Sequence, residues 1–238
     1  MPTMPGRPIA FVCAMPMELV PLTRDLGLVE TDADGQTVHT GKVGERDVVA
    51  IVTGMGTDFA TAGTERLLDA FAVDHVVVVG ITGALENETP IGTLVMPEIV
   101  VHGPSGREHR HQPVGDHSHT GQMWTSDELI TDPDRLVALR ARGVVSLDME
   151  TAAIAHVCET RGVPWSVFRA ISDRASDGTV DPEVFAMSNL DGTPNHEAIA
   201  AYFAKYPEKA ALLAEMGANS KRAADAAAAA AIAAVEHL

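Results

Sequence analysis

The chain has 238 residues and a formal net charge of −16 at pH 7, so we expect neither nucleic acid nor an anionic membrane surface as a partner. Hydrophobic residues form 46% of it and aromatic residues only 4%, which is typical of an α/β protein whose Val-rich sheet is covered by Ala-rich helices. No linker is visible, and one domain over residues 1–238 is expected.

The N-terminal stretch contains one Arg and an apolar run that is too short for a secretory signal. No stretch approaches the ~20 apolar residues that are needed to span a bilayer. We therefore expect a cytoplasmic protein. Its cysteines, Cys13 and Cys158, lie in apolar sequence and are predicted to be buried free thiols.

Continuous apolar runs of strand length recur along the chain and predict strands that are buried on both faces. They lie at 8–15, 47–56, 75–83, 93–102 and 165–173. Segments with helical periodicity lie between them, at roughly 17–26, 58–72 and 148–161. This alternation predicts a mostly parallel sheet that is covered by helices.

Residues 103–124 lack periodicity and are predicted to form a long loop. Five histidines lie in or next to this segment: His102, His109, His111, His117 and His119. The last two are spaced as metal ligands can be, but no Cys or firmly placed carboxylate accompanies them. We expect a solvated loop, or one that lines a substrate pocket, and no metal site.

From about residue 194 the sequence predicts helix, with one piece over 194–217 and a final Ala-rich helix that packs closely or frays in part.

Three acids follow apolar runs and are the strongest candidates for a functional site: Glu18, Glu150 and Asp173. Ligands of open α/β sheets bind beyond the carboxyl ends of the strands, so these acids are expected to meet in one crevice. Any one of them is also explained as a helix N-terminal acid that complements the helix dipole. The helix dipole explains less well why all three acids occur in this position.

Two glycine-containing turns follow predicted strands and indicate a close approach of the backbone to a ligand. The first, Gly54-x-Gly56, is a weak match to a dinucleotide-binding fingerprint, and the second is GITGAL at 80–85. Neither a P-loop nor a G-x-S-x-G elbow is present, which disfavours a Ser-His-Asp hydrolase.

Several strings, in chain order, resemble the nucleoside phosphorylase/nucleosidase family, and 5′-methylthioadenosine/S-adenosylhomocysteine nucleosidases in particular. They are CAMPMELVPL (13–22), VTGMGTDFATA (52–62), VVGITGALENETPIGTLVMPE (78–98), TSDELI (125–130) and LDMETAAIAHVCETRGVPWSVFRAISDRAS (147–176). The similarity covers most of residues 8–180. Relative to that family, the helical segment 194–238 includes an extra piece.

The resemblance implies a three-layer α/β/α fold around a twisted mixed sheet, in a homodimer, without metal or organic cofactor. It implies that Asp173 protonates N7 of a purine and that Glu18 orients and deprotonates a water molecule. Glu150 would accept hydrogen bonds from the ribose hydroxyls, and Met149 would pack against the sugar. Ser172 is placed to orient the carboxyl group of Asp173.

This division of roles agrees with the chemistry of an N-glycosidic bond. Its cleavage passes through an oxocarbenium-like state, which needs a proton donor at the leaving group and a base across the sugar. Asp173 must therefore have a raised pKa, through burial or a like charge, while Glu18 must stay ionised.

The sequence favours water over phosphate as the nucleophile. Phosphorylases of the family resemble one another in placing Arg near the first glycine turns, whereas this chain has HVVVV before Gly80. It also has Glu18 after the first predicted strand, where an incoming phosphate would be repelled. Arg24 is the main candidate for a phosphate ligand.

Some positions depart from the family pattern. The adenine-stacking Phe is replaced by Leu129, although Ile130 can still offer its backbone to the base. The Ser of the glycine-rich turn is replaced by Ile81, so a polar contact there is lost or is taken by Thr82, beside Gly83. Phe185 lies where the family places apolar residues over the 5′-substituent, and core packing explains it equally well.

These observations predict a hydrolase that cleaves the N-glycosidic bond of a 5′-substituted adenosine-type nucleoside. A phosphate-dependent purine nucleoside phosphorylase, including one resembling hopanoid-associated phosphorylases, is the alternative. A nucleoside-binding protein that has lost catalysis is a third possibility, against which the three acids argue.

Overall fold

A computed structural model describes residues 6–33, 35–115, 119–236 and 238. These residues form eleven strands and seven α-helices. The strands are β1 Ile9–Cys13, β2 Val29–Ala33, β3 Gln36–Val43, β4 Arg46–Val52, β5 His75–Ala84, β6 Leu94–Val95, β7 Ile99–His102, β8 Arg107–His109, β9 Gln122–Thr125, β10 Val144–Asp148 and β11 Trp165–Arg174. The helices are α1 Pro16–Leu26, α2 Thr57–Ala70, α3 Pro133–Ala141, α4 Thr151–Arg161, α5 Pro182–Phe185, α6 His196–Lys205 and α7 Ala210–Val235.

All eleven strands belong to one mixed sheet with the order β2-β3-β4-β1-β5-β10-β9-β7-β8, and β11 pairs with both β5 and β6. The strands β4, β1, β5 and β11 pair in parallel, and so do β10, β9 and β7. The pairs β2–β3, β3–β4, β5–β10, β7–β8 and β6–β11 are antiparallel. The helix-covered mixed sheet that the family resemblance implies is confirmed. The mostly parallel sheet expected from the alternation of runs is wrong, because five of the ten strand pairs that the described residues form are antiparallel.

The strand β1 shows why the central runs are apolar without alternation. Ala10 and Val12 belong to a core on one face of the sheet, together with residues of α2 and α4. Phe11 and Cys13 belong to the core on the other face, together with residues of α1 and α7. Because both faces are covered, every residue of such a strand is buried, and the structure has three layers.

Three sequence predictions in the middle of the chain are wrong in detail. The run 93–102 contains two short strands, β6 and β7, and the predicted loop 103–124 contains β8 and β9. The helix predicted over 148–161 begins at Thr151, because Asp148 still belongs to β10. Strands of two to four residues are too short to show a period in the sequence.

The C-terminal helices are also divided at a different point from the predicted one. The helix α7 passes through Gly217, and the chain breaks instead at 206–209, between α6 and α7. Pro207 explains the break, because proline disfavours a helical conformation for the residue before it, and Tyr206 has φ −133° and ψ 63°. A lone glycine costs a helix only ~1 kcal/mol.

Cys13 and Cys158 are buried and unpaired, as predicted. Within the part of the chain that the structure describes, no helix has the length and apolar character needed to cross a membrane.

The Ala run of α7 packs closely on the sheet. Its buried alanines belong to the core that contains residues of β1, β5 and β11, namely Ala223, Ala227, Ala228, Ala230, Ala231 and Ala234. Small side chains let the helix backbone approach the strands, and a larger side chain at such a position has no space to occupy.

We expect Ala228→Leu to lower the free energy of unfolding by about 1–3 kcal/mol, because Ala228 is fully buried against the sheet. Urea unfolding measures the change. The neighbouring Ala229 is exposed, so Ala229→Leu is the matched control and should change stability by less than about 0.5 kcal/mol. Equal effects of the two substitutions would contradict the packing described for α7.

Candidate active site

A cavity of about 310 Å³ lies where β1, β5, β10 and β11 end. Glu18, Glu150 and Asp173 all line it, so the three acids meet in one crevice as the sequence predicts. The other residues predicted for the site line the same cavity: Thr82, Gly83, Leu129, Ile130, Met149, Ser172 and Phe185. Its volume is in the range of small-molecule sites.

Glu18 lies in the first turn of α1 and is fully buried. Its Oε2 accepts hydrogen bonds from the backbone N–H groups of Ala14 (2.8 Å) and Met15 (2.9 Å). Its Oε1 accepts one from the N–H of Ile81 at 2.8 Å. Burial raises the pKa of Glu18, while Arg169 and these N–H groups act in the opposite direction by stabilising the carboxylate.

The close approach of Glu18 to β5 requires a glycine. A Cβ atom on Gly80 would overlap the Oε1 of Glu18 and come within 3.0 Å of Nη1 of Arg169. The turn predicted at 80–85 is wrong, because β5 continues to Ala84, but the glycine does permit a close approach, here of a side chain of the site itself.

Glu150 is the N-cap residue of α4 and is buried. Its Oε1 accepts a hydrogen bond from the N–H of Gly56 at 2.9 Å, and its Oε2 accepts one from Nη2 of Arg169 at 3.1 Å. Burial raises the pKa of Glu150 to about 7, with Arg169 opposing the rise and Asp148 adding to it. The turn of Gly54-x-Gly56 thus holds a carboxylate of the site.

Arg169, on β11, lies at the centre of the acids and is 2% exposed. Its Nη2 lies 2.9 Å from Oδ2 of Asp148, and its Nη1 lies 3.7 Å from Oε1 of Glu18. Its Nη1 also donates to the carbonyl of Ile81 (2.7 Å), and its Nε donates to the hydroxyl of Thr151 (3.1 Å). Each of the three guanidinium nitrogens therefore has a hydrogen-bond or ion-pair partner.

Arg169 is absent from the residues that the sequence predicts for the site. The sequence does contain a signal for its role: Arg169 lies within the run WSVFRAIS, where every neighbour is apolar or small. A buried guanidinium requires carboxylate or carbonyl partners, so this position indicates acids nearby.

Asp173 lies near the end of β11, in surroundings unlike those of Glu18. Its Oδ1 accepts a hydrogen bond from the hydroxyl of Ser172 at 2.6 Å, as the predicted orienting role of Ser172 requires. Burial raises the pKa of Asp173, the Ser172 bond opposes the rise, and the charge of Asp177 adds to it. No cation contributes to this balance.

Two further predictions are modified by the contacts. The hydroxyl of Thr82 donates to the carbonyl of Leu147 at 2.7 Å, so towards a ligand its oxygen is left only as an acceptor. From its place at the start of the helical segment 148–161, the sequence predicts that Asp148 caps a helix, and Asp148 does accept from the N–H of Thr151 at 2.9 Å. It also pairs with Arg169, which the cap prediction does not include.

Arg24, the candidate that would favour phosphate over water, does not line the cavity. Its side chain is exposed and pairs with Asp25 (2.6 Å) and Asp225 (3.0 Å). Glu18 lies in the buried first turn of α1, whereas Arg24 lies in its last turn, which is away from the cavity.

The histidine-rich segment is solvent-exposed over most of its described residues, as expected for a solvated loop, although two of its histidines are buried. None of its described residues lines the cavity, so the alternative expectation of pocket lining is wrong. His109 is 1% exposed and bonds Glu159 at 2.9 Å, and His111 contacts the carbonyl of Pro97 and the ring of Trp165. Among the described residues, no group of three His, Cys, Asp or Glu side chains is arranged to hold a metal ion. His117 lies outside those residues.

Comparison with known proteins shows which sequences this chain resembles. The family model of the phosphorylase superfamily matches residues 8–117 and 107–236. The 5′-methylthioadenosine/S-adenosylhomocysteine nucleosidase of Tolumonas auensis is 28% identical over 74% of this chain and 90% of its own. The enzyme of the same name from Geobacillus kaustophilus is 29% identical over 71% of this chain and 85% of its own.

Solved structures have the same fold. S-adenosylhomocysteine nucleosidase from Streptococcus pyogenes, in complex with 5-methylthiotubericidin, superposes with a TM-score of 0.74 at 20% identity and covers 99% of each chain. Futalosine hydrolase of Helicobacter pylori superposes with a TM-score of 0.73 at 19% identity and covers 98% of each chain. The three-layer fold is therefore common to enzymes that are named for different substrates.

We expect Arg169→Met to lower the free energy of unfolding by about 3–5 kcal/mol, because three buried carboxylates lose their cation. Without Arg169 the folded-state pKa values of Glu18 and Glu150, which burial already raises, lie further above their unfolded values. Their stabilising contribution is then present only at low pH and is lost as the pH rises through the folded pKa values. The loss should therefore be larger at pH 8 than at pH 6, measured by urea unfolding.

The control is Arg161→Met, which removes an exposed ion pair with Asp69 and should cost less than about 1 kcal/mol. A loss for Arg169→Met as small as that of the control, or one that does not depend on pH, would contradict the role of Arg169 as the shared counter-ion.

Proposed function

Because the chain belongs to the phosphorylase superfamily, we propose that it is a nucleosidase that hydrolyses the N-glycosidic bond of a 5′-substituted adenosine-type nucleoside. One observation carries the proposal. Around a single cavity, Glu18 is surrounded by hydrogen-bond donors and a cation, whereas Asp173 has a hydroxyl and a like charge. Such a pair supplies the base and the acid that the reaction needs.

Asp173 is the proposed general acid. Burial raises its pKa, so its carboxyl group holds a proton at a higher pH than an exposed aspartate does. Ser172 fixes one of its oxygens, which leaves the other to face the purine. Protonation at N7 makes the leaving base neutral, and a neutral leaving group departs more easily than an anion.

Glu18 is the proposed base, and Glu150 with Met149 holds the sugar. Three N–H groups fix the Glu18 carboxylate, so its remaining lone pair can orient a water molecule towards the anomeric carbon. Glu150 presents a buried carboxylate that accepts hydrogen bonds from ribose hydroxyls. Leu129, Ile130 and Phe185 offer apolar surface to the base and the 5′-substituent.

The charges favour water over phosphate as the nucleophile. Among the described residues that line the cavity, Arg169 is the one cation, and its donors are bonded to carboxylates, a carbonyl and a hydroxyl. An incoming phosphate would meet Glu18 and Glu150 instead of a free cation. A phosphorylase is therefore the less favoured alternative.

Several finer properties belong to the same proposal. We propose a homodimer in the cytoplasm, in which residues 1–238 act as one domain in nucleoside catabolism such as methionine salvage. The relatives named above support the pathway. Phe59 and Leu190, two exposed apolar side chains beside a second cavity that shares Met149 and Phe185 with the first, support a subunit contact near the site.

We expect the protein to release adenine from 5′-methylthioadenosine in phosphate-free buffer, at a rate that added phosphate does not increase. Chromatography of the products measures both. Adenine that appears only with phosphate, together with a sugar 1-phosphate, would identify a phosphorylase. Binding of the nucleoside without release of adenine in either buffer would identify a nucleoside-binding protein.

We expect Glu18→Gln and Asp173→Asn each to lower kcat by about 10²–10⁴-fold, because each removes one proton-transfer group and keeps its shape. Steady-state kinetics and thermal unfolding measure the two effects separately. Glu30→Gln is the control, since Glu30 lies exposed on β2, away from the cavity. Rates within a few-fold of the control for either variant would reject its assigned role.

A further inference from the structure

Asp148 is a fully bonded carboxylate that has no part in the reaction described above. It lies at the end of β10 and is 7% exposed. Its Oδ1 accepts a hydrogen bond from the hydroxyl of Thr125 at 2.6 Å. Its Oδ2 accepts bonds from the N–H and hydroxyl of Thr151 and pairs with Nη2 of Arg169 at 2.9 Å. The side chain is therefore held rigidly by three elements.

One nitrogen of Arg169 is shared between two acids. Nη2 lies 2.9 Å from Oδ2 of Asp148 and 3.1 Å from Oε2 of Glu150. The Thr151 hydroxyl donates to Asp148 and accepts from Nε of Arg169, so the same aspartate also orients the other edge of the guanidinium. The place of Glu150 is consequently set by a cation that Asp148 positions.

We propose that Asp148 is a positioning residue for the reaction, which acts through Arg169 to fix where Glu150 presents its carboxylate to the sugar and how strongly Arg169 attracts it. This inference rests on the proposed function, because that function gives Glu150 its role with the ribose hydroxyls.

The charges that face Glu150 define the expected effect. They are Arg169 from β11, Asp148 from β10 and Glu18 from α1, together with the N–H of Gly56 at the start of α2. Asp148 raises the pKa of Glu150 by repulsion and by competing for Arg169. Removing only the charge of Asp148 therefore lowers the pKa of Glu150.

The test is Asp148→Asn, which keeps the shape of the side chain. The amide oxygen can still accept from Thr151 and Arg169, and the amide nitrogen can donate to Thr125, so we expect the variant to fold. In protein with ¹³C-labelled glutamate carboxyl groups, assigned with Glu150→Gln, NMR follows the titration of Glu150. Its midpoint should fall by about 1 pH unit, and the acidic limb of kcat/KM should move to lower pH by the same amount.

Thr125→Val is the matched control. It removes the hydroxyl that donates to Asp148 and accepts from the N–H of Ala152, and it keeps the charge of Asp148. It should therefore lower stability without moving the Glu150 midpoint. If Asp148 is only a structural cap, both variants lower stability and the midpoint stays in place, which overturns the inference. If the unsubstituted protein releases no adenine but Asp148→Asn still moves the Glu150 midpoint, the proposed function is rejected and the coupling of Asp148 to Glu150 is retained.

Discussion

The burial of the Arg169 guanidinium is the constraint on which the cavity depends. Removing such a charge from water costs several kcal/mol per ion unless it is paired and hydrogen-bonded. Its partners come from strand β10, from the start of α4, from the backbone of β5 and from α1. These elements are distant in sequence, and one cation therefore holds their ends at fixed distances around the floor of the cavity.

The same constraint gives chemically similar acids different surroundings. Glu18 and Glu150 share a cation and accept from backbone N–H groups, which oppose the rise in pKa that burial causes. Asp173 lies on the same strand as Arg169 but has a hydroxyl partner and a neighbouring acid, so burial raises its pKa without a cation in opposition. Cleavage of an N-glycosidic bond needs one acid and one base. The cation of the first environment and the acid of the second, Arg169 and Asp173, lie four residues apart on β11.

The sequence predicts those elements whose signal is local and strong. The strands β1, β4, β5 and β11 are mostly apolar because both of their faces are covered, whereas β8 and β9 are too short to show a pattern. The acids of the site could be predicted because each lies at or just beyond the carboxyl end of a strand. Arg169 could not be assigned a role, because its partners lie far away in sequence and only the folded chain brings them together.

Neutron diffraction from a crystal grown in D₂O near neutral pH would show directly how the protons are divided among these acids. If Arg169 and three N–H groups keep Glu18 ionised while burial keeps Asp173 protonated, nuclear density for a deuteron lies on a carboxyl oxygen of Asp173 and none lies on Glu18. A deuteron on Glu18 with a bare Asp173 would contradict the assignment of base and acid.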